Sequence, residues 1–111
     1  MKILALILAR KGSKRIKDKN RIKLNKKKLI EHTIILSKKS GCFVNILLSS
    51  NDEEIIKIAK SYKILAPWKR PESLSKDISS SYKAAIHAYK WYENHYAKVD
   101  GIFILQPTSP F

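Results

Sequence analysis

The sequence predicts an α/β fold, a three-layer and mostly parallel sheet with helices on both faces. Short continuous apolar runs, at Ile3–Leu8, Val44–Leu48 and Gly101–Leu105, read as strands covered on both sides. Segments with apolar residues at helical spacing separate them, giving the order β-α-β-α-(β)-α-β, which implies right-handed crossovers. At 111 residues and 44% hydrophobic content the chain supports one modest core, so one domain or part of one is expected.

Each element has its own signal. Met1-Lys2 and the apolar run after it imitate a short signal peptide, but Arg10-Lys11 stand where small cleavage-site residues belong, so a buried strand is the better reading. A long polar loop is expected over residues 9–27. From Lys28 to Lys39, Leu29, Ile30, Ile34 and Leu36 recur at helical spacing, and Gly41 supplies a stop. After the second apolar run, Ser50-Asn51-Asp52 offers a cap for a helix from about Glu53 to Tyr62, with Ile55, Ile56, Ala59 and Tyr62 facing inward. Lys63–Ala66 is a candidate short strand. Pro67–Ile78, with two prolines, reads as an ordered loop. Ser79 or Ser80 caps a third helix over about Ser81–Tyr96, which turns Ala85, Ala88, Trp91 and Tyr92 to one side.

Charge narrows the function classes. The chain carries 23 basic and 9 acidic residues, a net +14, which raises nucleic acid, anionic membranes and phosphorylated ligands as partners. Between Arg10 and Lys28 stand 11 basic residues against the single acid Asp18, so +10 of the +14 sits in one segment. Lysines such as Lys26, Lys27, Lys28, Lys38 and Lys39 also fit a compositionally biased chain with solvated faces. The single cysteine, Cys42, has no disulfide partner and no metal-ligand spacing around it, so it is expected in the core and a cytoplasmic location is the default. No stretch is long and apolar enough to be a membrane span. His32, His87 and His95 fall in expected helices without a triad partner, and the spacing of Tyr89, Trp91 and Tyr92 favours packing over base stacking.

Ligands of parallel sheets bind beyond the carboxyl ends of the strands. Three loops qualify: Ala9–Asn20, Ser49–Asp52 and Gln106–Phe111. The first, Ala9-Arg10-Lys11-Gly12-Ser13-Lys14-Arg15, leaves its strand where a phosphate-binding turn would. It is neither GxxxxGK[ST] nor GxGxxG, so any grip on phosphate rests on side-chain charge plus backbone near Gly12 and Ser13.

The run Ala9-Arg10-Lys11-Gly12-Ser13-Lys14 followed by Lys19-Asn20 resembles the opening signature of the acylneuraminate cytidylyltransferases, A-R-G-G-S-K-x-x-x-x-K-N. Ile46–Ile55 resembles that family's second strand and turn, Arg70-Pro71-Glu72-x-Leu74 with Ser79-Ser80-Ser81 its middle loop, and Leu105-Gln106-Pro107-Thr108-Ser109-Pro110 its fourth-strand exit. Together they span essentially the whole chain. The resemblance implies the Rossmann-like sheet of the nucleotide-diphospho-sugar transferases, here truncated, with residues 1–111 forming the N-terminal CTP-binding part of a single domain. It implies attack by the anomeric hydroxyl of a nine-carbon, sialic-acid-like sugar acid on the α-phosphate of CTP, with pyrophosphate leaving. The partners implied are CTP and a nonulosonic acid, with neither membrane nor nucleic acid.

Carried over position by position, the resemblance gives Arg10 and Lys19 to the CTP phosphates and to catalysis, with Gly12, Ser13 and Lys14 beside them. It gives Asn20, Arg70 and Ser81 to the cytosine side, and Gln106 to the sugar acid. Arg10 and Lys19 also fit solvated loop charges, Asn20 a turn, and Ser81 a helix cap. The family's Mg²⁺ ligands and homodimer-forming segment are expected in a further half not represented in these residues.

The sequence departs from the family pattern at Lys11, where a second glycine is usual, and at Asn51, in place of an acid. Lys26 and Lys28 replace the glycine and proline of an N-G-K-P turn. Alternative readings are a truncated, non-catalytic relic of the fold, a small basic nucleic-acid-binding protein, and the cytidylyltransferase of the eight-carbon keto-deoxy-octulosonate. Lys19-Asn20 and Gln106–Pro110 favour the nine-carbon group, without deciding between neuraminic, legionaminic and pseudaminic types.

Overall fold

The structure, a computed structural model, describes residues 1–9, 19–71 and 78–106, of which 19–27 and 78–81 are described as helical backbone. Its elements run β1 (Ile3–Ala9), α1 (Lys19–Ser40), β2 (Asn45–Ser50), α2 (Glu53–Ser61), α3 (Ile78–His95) and β3 (Gly101–Leu105).

The three strands form an all-parallel sheet in the order β2-β1-β3. β1 is central because it is apolar throughout: Leu4, Ala5, Leu6 and Ile7 have no exposed surface. The twofold alternation of a strand sends Ala5, Ile7 and Ala9 to one face, against Ile30 and Ile34 of α1 and Ile55 and Ala59 of α2. Leu4, Leu6 and Leu8 go to the other, against Ala84, Ala85, Ala88 and Tyr92 of α3. Two layers of helix therefore sandwich the sheet, as the alternating pattern predicts. The expected strand at Lys63–Ala66 is reduced to a single parallel bridge, Leu47 to Leu65, beyond β2. Leu65 N–H donates to Ile46 O at 2.9 Å and Leu48 N–H to Leu65 O at 2.8 Å.

α1 begins at Lys19, well inside the segment read as loop. The reason lies in composition: from Ser13 to Ser40 there is neither glycine nor proline, and Lys, Arg and Leu are good helix formers. The replacement of a glycine and a proline by Lys26 and Lys28 removes the two residues that would stop a helix there. Within α1 the inward row is Ile30, Ile34 and Ser37, while Leu36 is on the outside. Ser37 Oγ satisfies itself by donating to Thr33 O at 2.8 Å. Gly41, at φ 65°, takes the left-handed position that ends the helix. Cys42 follows in that turn and is exposed, not a core residue as expected.

α2 is capped by Asp52, whose Oδ1 accepts from Glu54 N–H at 3.0 Å. At its other end, Lys38 of α1 donates to the carbonyl of Tyr62, the C-cap. α3 starts at Ile78, about a turn earlier than the serine caps suggest, and ends at His95. There the His95 ring stacks on Trp91 at 4.5 Å, and its Nδ1 lies 2.9 Å from Trp91 O, which requires the Nδ1–H tautomer.

Candidate active site at the carboxyl ends of the strands

Topology locates the site. From β1 the chain moves through α1 and β2 to the bridge at Leu65, then returns along α3 on the opposite face to β3. β1 and β3 are thus neighbours whose helices lie on opposite faces of the sheet, the topology that in parallel sheets places ligand sites at the carboxyl ends of the strands. The register sets Ile7 beside Leu105 and Ala9 beside Ser50, so all three strand exits lie at one end of the sheet. The N-terminus of α3, which carries Ser81, points to that end too. Its far end is fixed at the opposite side, where Asn45 Nδ2 at the start of β2 donates to Tyr92 Oη at 2.8 Å.

The best-defined part of this end is the exit of β2. Ser49 and Ser50 follow the apolar Ile46–Leu48 of β2 and are both fully buried, so each hydroxyl needs a partner. Arg70 provides one. It is only 2% exposed, its Nε donates to Ser49 Oγ at 3.1 Å and its Nη2 to Ser49 O at 2.8 Å. Its backbone N–H donates to Ser50 O at 2.7 Å. Ser50 Oγ accepts from Asp52 N–H at 3.0 Å, which leads directly into the cap of α2. The Arg70 guanidinium therefore clamps the segment after Ala66 onto the end of β2.

The other site residues expected from the sequence are placed less fully. Gln106 follows β3 directly and is exposed at the crevice end. Lys19 and Asn20 open α1 and Ser81 lies in the first turn of α3, each as backbone. Arg10, Gly12, Ser13 and Lys14 lie outside the described residues. Ser49 and Ser50 open one of the three loops that the sequence marks as ligand-facing, but the resemblance gives neither an individual role.

The described acids near the exits are occupied: Asp52 caps α2, and Glu53 pairs with Lys69 at 3.2 Å on the surface. Among the described residues no three His, Cys, Asp or Glu side chains gather to hold a metal ion. The described residues do not fit the Mg²⁺ implied by the resemblance. Also among them, no helix is long and apolar enough to cross a membrane. Two tyrosine hydroxyls titrate above the ordinary value, neither at a strand exit. Tyr62 is raised by its hydrogen bond to Glu31, with desolvation and the negative charge adding to it. Tyr89 is raised by desolvation first and then by Glu93.

Comparison with known proteins decides the family: the family described as "Cytidylyltransferase" matches residues 4–111. The chain belongs to the cytidylyltransferase family. It is 39% identical over its whole length to the CMP-N,N'-diacetyllegionaminic acid synthase of Legionella pneumophila, covering 48% of that protein. It is 42% identical to a pseudaminic acid cytidylyltransferase of Campylobacter jejuni, with 99% of this chain and 47% of the relative covered. To the N-acylneuraminate cytidylyltransferase of Escherichia coli it is 37% identical, over 99% of this chain and 25% of the relative. This cytidylyltransferase chain thus spans about half the length of the first two and matches their N-terminal part. A Rossmann-like sheet of this family accounts for the parallel topology and the crevice between β1 and β3.

Proposed function

We propose that this chain is the CTP-binding portion of an enzyme that transfers CMP from CTP to a nine-carbon, sialic-acid-like sugar acid. The observation that carries the reading is the parallel order β2-β1-β3, with the helices that follow β1 and precede β3 on opposite faces. In sequence, the segment Arg10–Lys28 that follows β1 holds +10 of the chain's +14 charge. α1 has no acid in its first turn and opens with Lys19, so its cations and the positive end of its dipole add together. A triphosphate is the kind of ligand that relieves such a concentration of positive charge.

In this reading Arg10 and Lys19 neutralise the phosphates, with Lys14 and the backbone at Gly12 and Ser13 adding donors. Asn20, Ser81 and the Arg70 wall border the cytosine, and Gln106 faces the sugar acid. The anomeric oxygen forms a bond to the α-phosphorus, the bond from that phosphorus to the bridging oxygen breaks, and pyrophosphate leaves while the hydroxyl proton passes to solvent. The chain's contribution is alignment and charge neutralisation, the two demands of phosphoryl transfer. Any Mg²⁺ used in turnover, and any homodimer, would draw on residues beyond those described here. The full activity belongs to a polypeptide with the relatives' whole length.

Titration calorimetry with CTP tests this. Arg10→Ala and Lys19→Ala are expected to weaken binding by about tenfold or more each, as the loss of one charge-assisted phosphate contact would, and Lys39→Ala to leave it unchanged. Equal effects of all three, or equal affinity for all four nucleoside triphosphates, would defeat the proposal.

A further inference from the structure

The row of α1 that packs on the sheet continues past its apolar residues. Among the described residues of this helix the buried ones are Ile30, Ile34 and Ser37, at the spacing of one helical row. Counted back from Ile30 by one, two and three turns, the same register falls on Lys26, Lys23 and Lys19. One row of the helix therefore reads Lys19, Lys23, Lys26, Ile30, Ile34, Ser37.

Length places those lysines. α1 joins the carboxyl end of β1 to the amino end of the parallel strand β2, so it runs back along the sheet. Its 22 residues rise about 33 Å, whereas the 7 residues of β1 span about 23 Å. Shortly after the helix, Val44 N–H donates to Ile3 O at 2.9 Å, which ties its C-terminal side to the amino end of the sheet. The excess of about 10 Å, close to two turns, therefore falls at the carboxyl end, in the part of the helix that starts at Lys19 and takes in Lys23. The row thus changes from apolar to cationic as the helix passes the ends of the strands. Lys26 is also the residue that replaces the glycine of the family pattern, so the departure that lets the helix run on here adds a cation to the row. Like charges a turn apart repel. α1 has no acid in its first turn, and Asp18 is the single acid against 11 basic residues between Arg10 and Lys28, so within the segment the cations far outnumber any counter-charge.

We infer that Lys23 and Lys26 extend the phosphate grip of Lys19 along α1 and hold a pyrophosphate group, either the β- and γ-phosphates of CTP or free pyrophosphate. Such a group suits the row because it sets adjacent anionic phosphates against cations that successive turns of one helix supply. No bond forms or breaks at these lysines; they neutralise the part of the triphosphate that departs. This role rests on the nucleotide reading of the strand exits and adds to it two residues that the resemblance leaves without a part.

Titration calorimetry of the 111-residue chain with CTP, CMP and inorganic pyrophosphate tests this. Lys23→Ala/Lys26→Ala should weaken CTP and pyrophosphate by about tenfold or more and leave CMP within about twofold. The control, Arg21→Ala/Lys28→Ala, takes the same charge from the same stretch of helix at positions about half a turn off the row, and Lys28 is exposed. It should leave all three ligands within about twofold. Alanine is the best helix former, so both variants keep α1, which circular dichroism verifies. Equal losses in the two variants, or a matching loss of CMP, overturn the inference, because charge in general would then set the affinity. Unchanged pyrophosphate binding in Lys23→Ala/Lys26→Ala overturns it too. Failure of the nucleotide reading looks different: the wild-type chain takes all four nucleoside triphosphates alike, while a pyrophosphate loss confined to Lys23→Ala/Lys26→Ala still supports the row.

Discussion

Replacing Ser49 by alanine removes one hydroxyl from the buried exit of β2, where its partner is Arg70. Ser49 Oγ is the acceptor for Arg70 Nε at 3.1 Å; another guanidinium contact, from Nη2 to Ser49 O at 2.8 Å, uses backbone and survives. Arg70 is 2% exposed, so little water is at hand to replace the lost bond. A hydrogen bond to a charged group contributes roughly 1.5–3 kcal/mol, which sets the cost of Ser49→Ala at about 2 kcal/mol. For a domain of this size that is a fall of about 8 °C in Tm. Ser50→Ala is the internal comparison, because its hydroxyl accepts from a neutral donor, Asp52 N–H at 3.0 Å. It should cost about 1 kcal/mol, and a neighbouring serine in the same strand controls for burial. Urea and thermal unfolding followed by circular dichroism measure both. Equal losses, or a larger loss for Ser50→Ala, would refute the claim that the Arg70 charge is anchored through Ser49.

Two further outcomes follow from other contacts. Asp52→Ala removes the acceptor for Glu54 N–H and should destabilise the chain by about 1 kcal/mol in urea unfolding, and Asp52→Asn should restore most of it. Tyr62, with its pKa raised by the bond to Glu31, should ionise above 10.0 in an ultraviolet pH titration, and Glu31→Gln should bring it back towards that value. Because the folded value lies above the unfolded one, the stability from this contact is complete below pH 10 and is lost as the pH rises through the folded pKa. An unchanged titration in Glu31→Gln would show that burial, not Glu31, sets the shift.

What the sequence reveals of this fold is its long-range pattern. Unbroken apolar runs identify β1, β2 and β3, and Ser50-Asn51-Asp52 identifies the cap of α2, because each needs only local information. The start of α1 is hidden for a physical reason. Residues 19–27 have few apolar positions from which to read a period, and helicity there follows from the propensity of Lys and Arg and the absence of Gly and Pro. The burial of Ser37 in place of Leu36 is likewise invisible, since the serine enters the inward row by bonding its own helix. In the site, the strand exits and Gln106 were legible as positions. The Ser49 and Arg70 clamp was not, because it joins residues 21 apart whose pairing depends on the bridge at Leu65 bringing the chain back along β2.

The central claim is that the exits of β1 and β3 border one pocket for a pyrimidine triphosphate. A residue-resolved NMR titration of the chain with CTP tests it most directly. The account predicts that the amides of Ala9, Ser50, Arg70 and Gln106 shift together along one saturation curve, and less with GTP. Shifts confined to outward lysines such as Lys57, Lys83 and Lys90, or identical with any nucleotide, would contradict it.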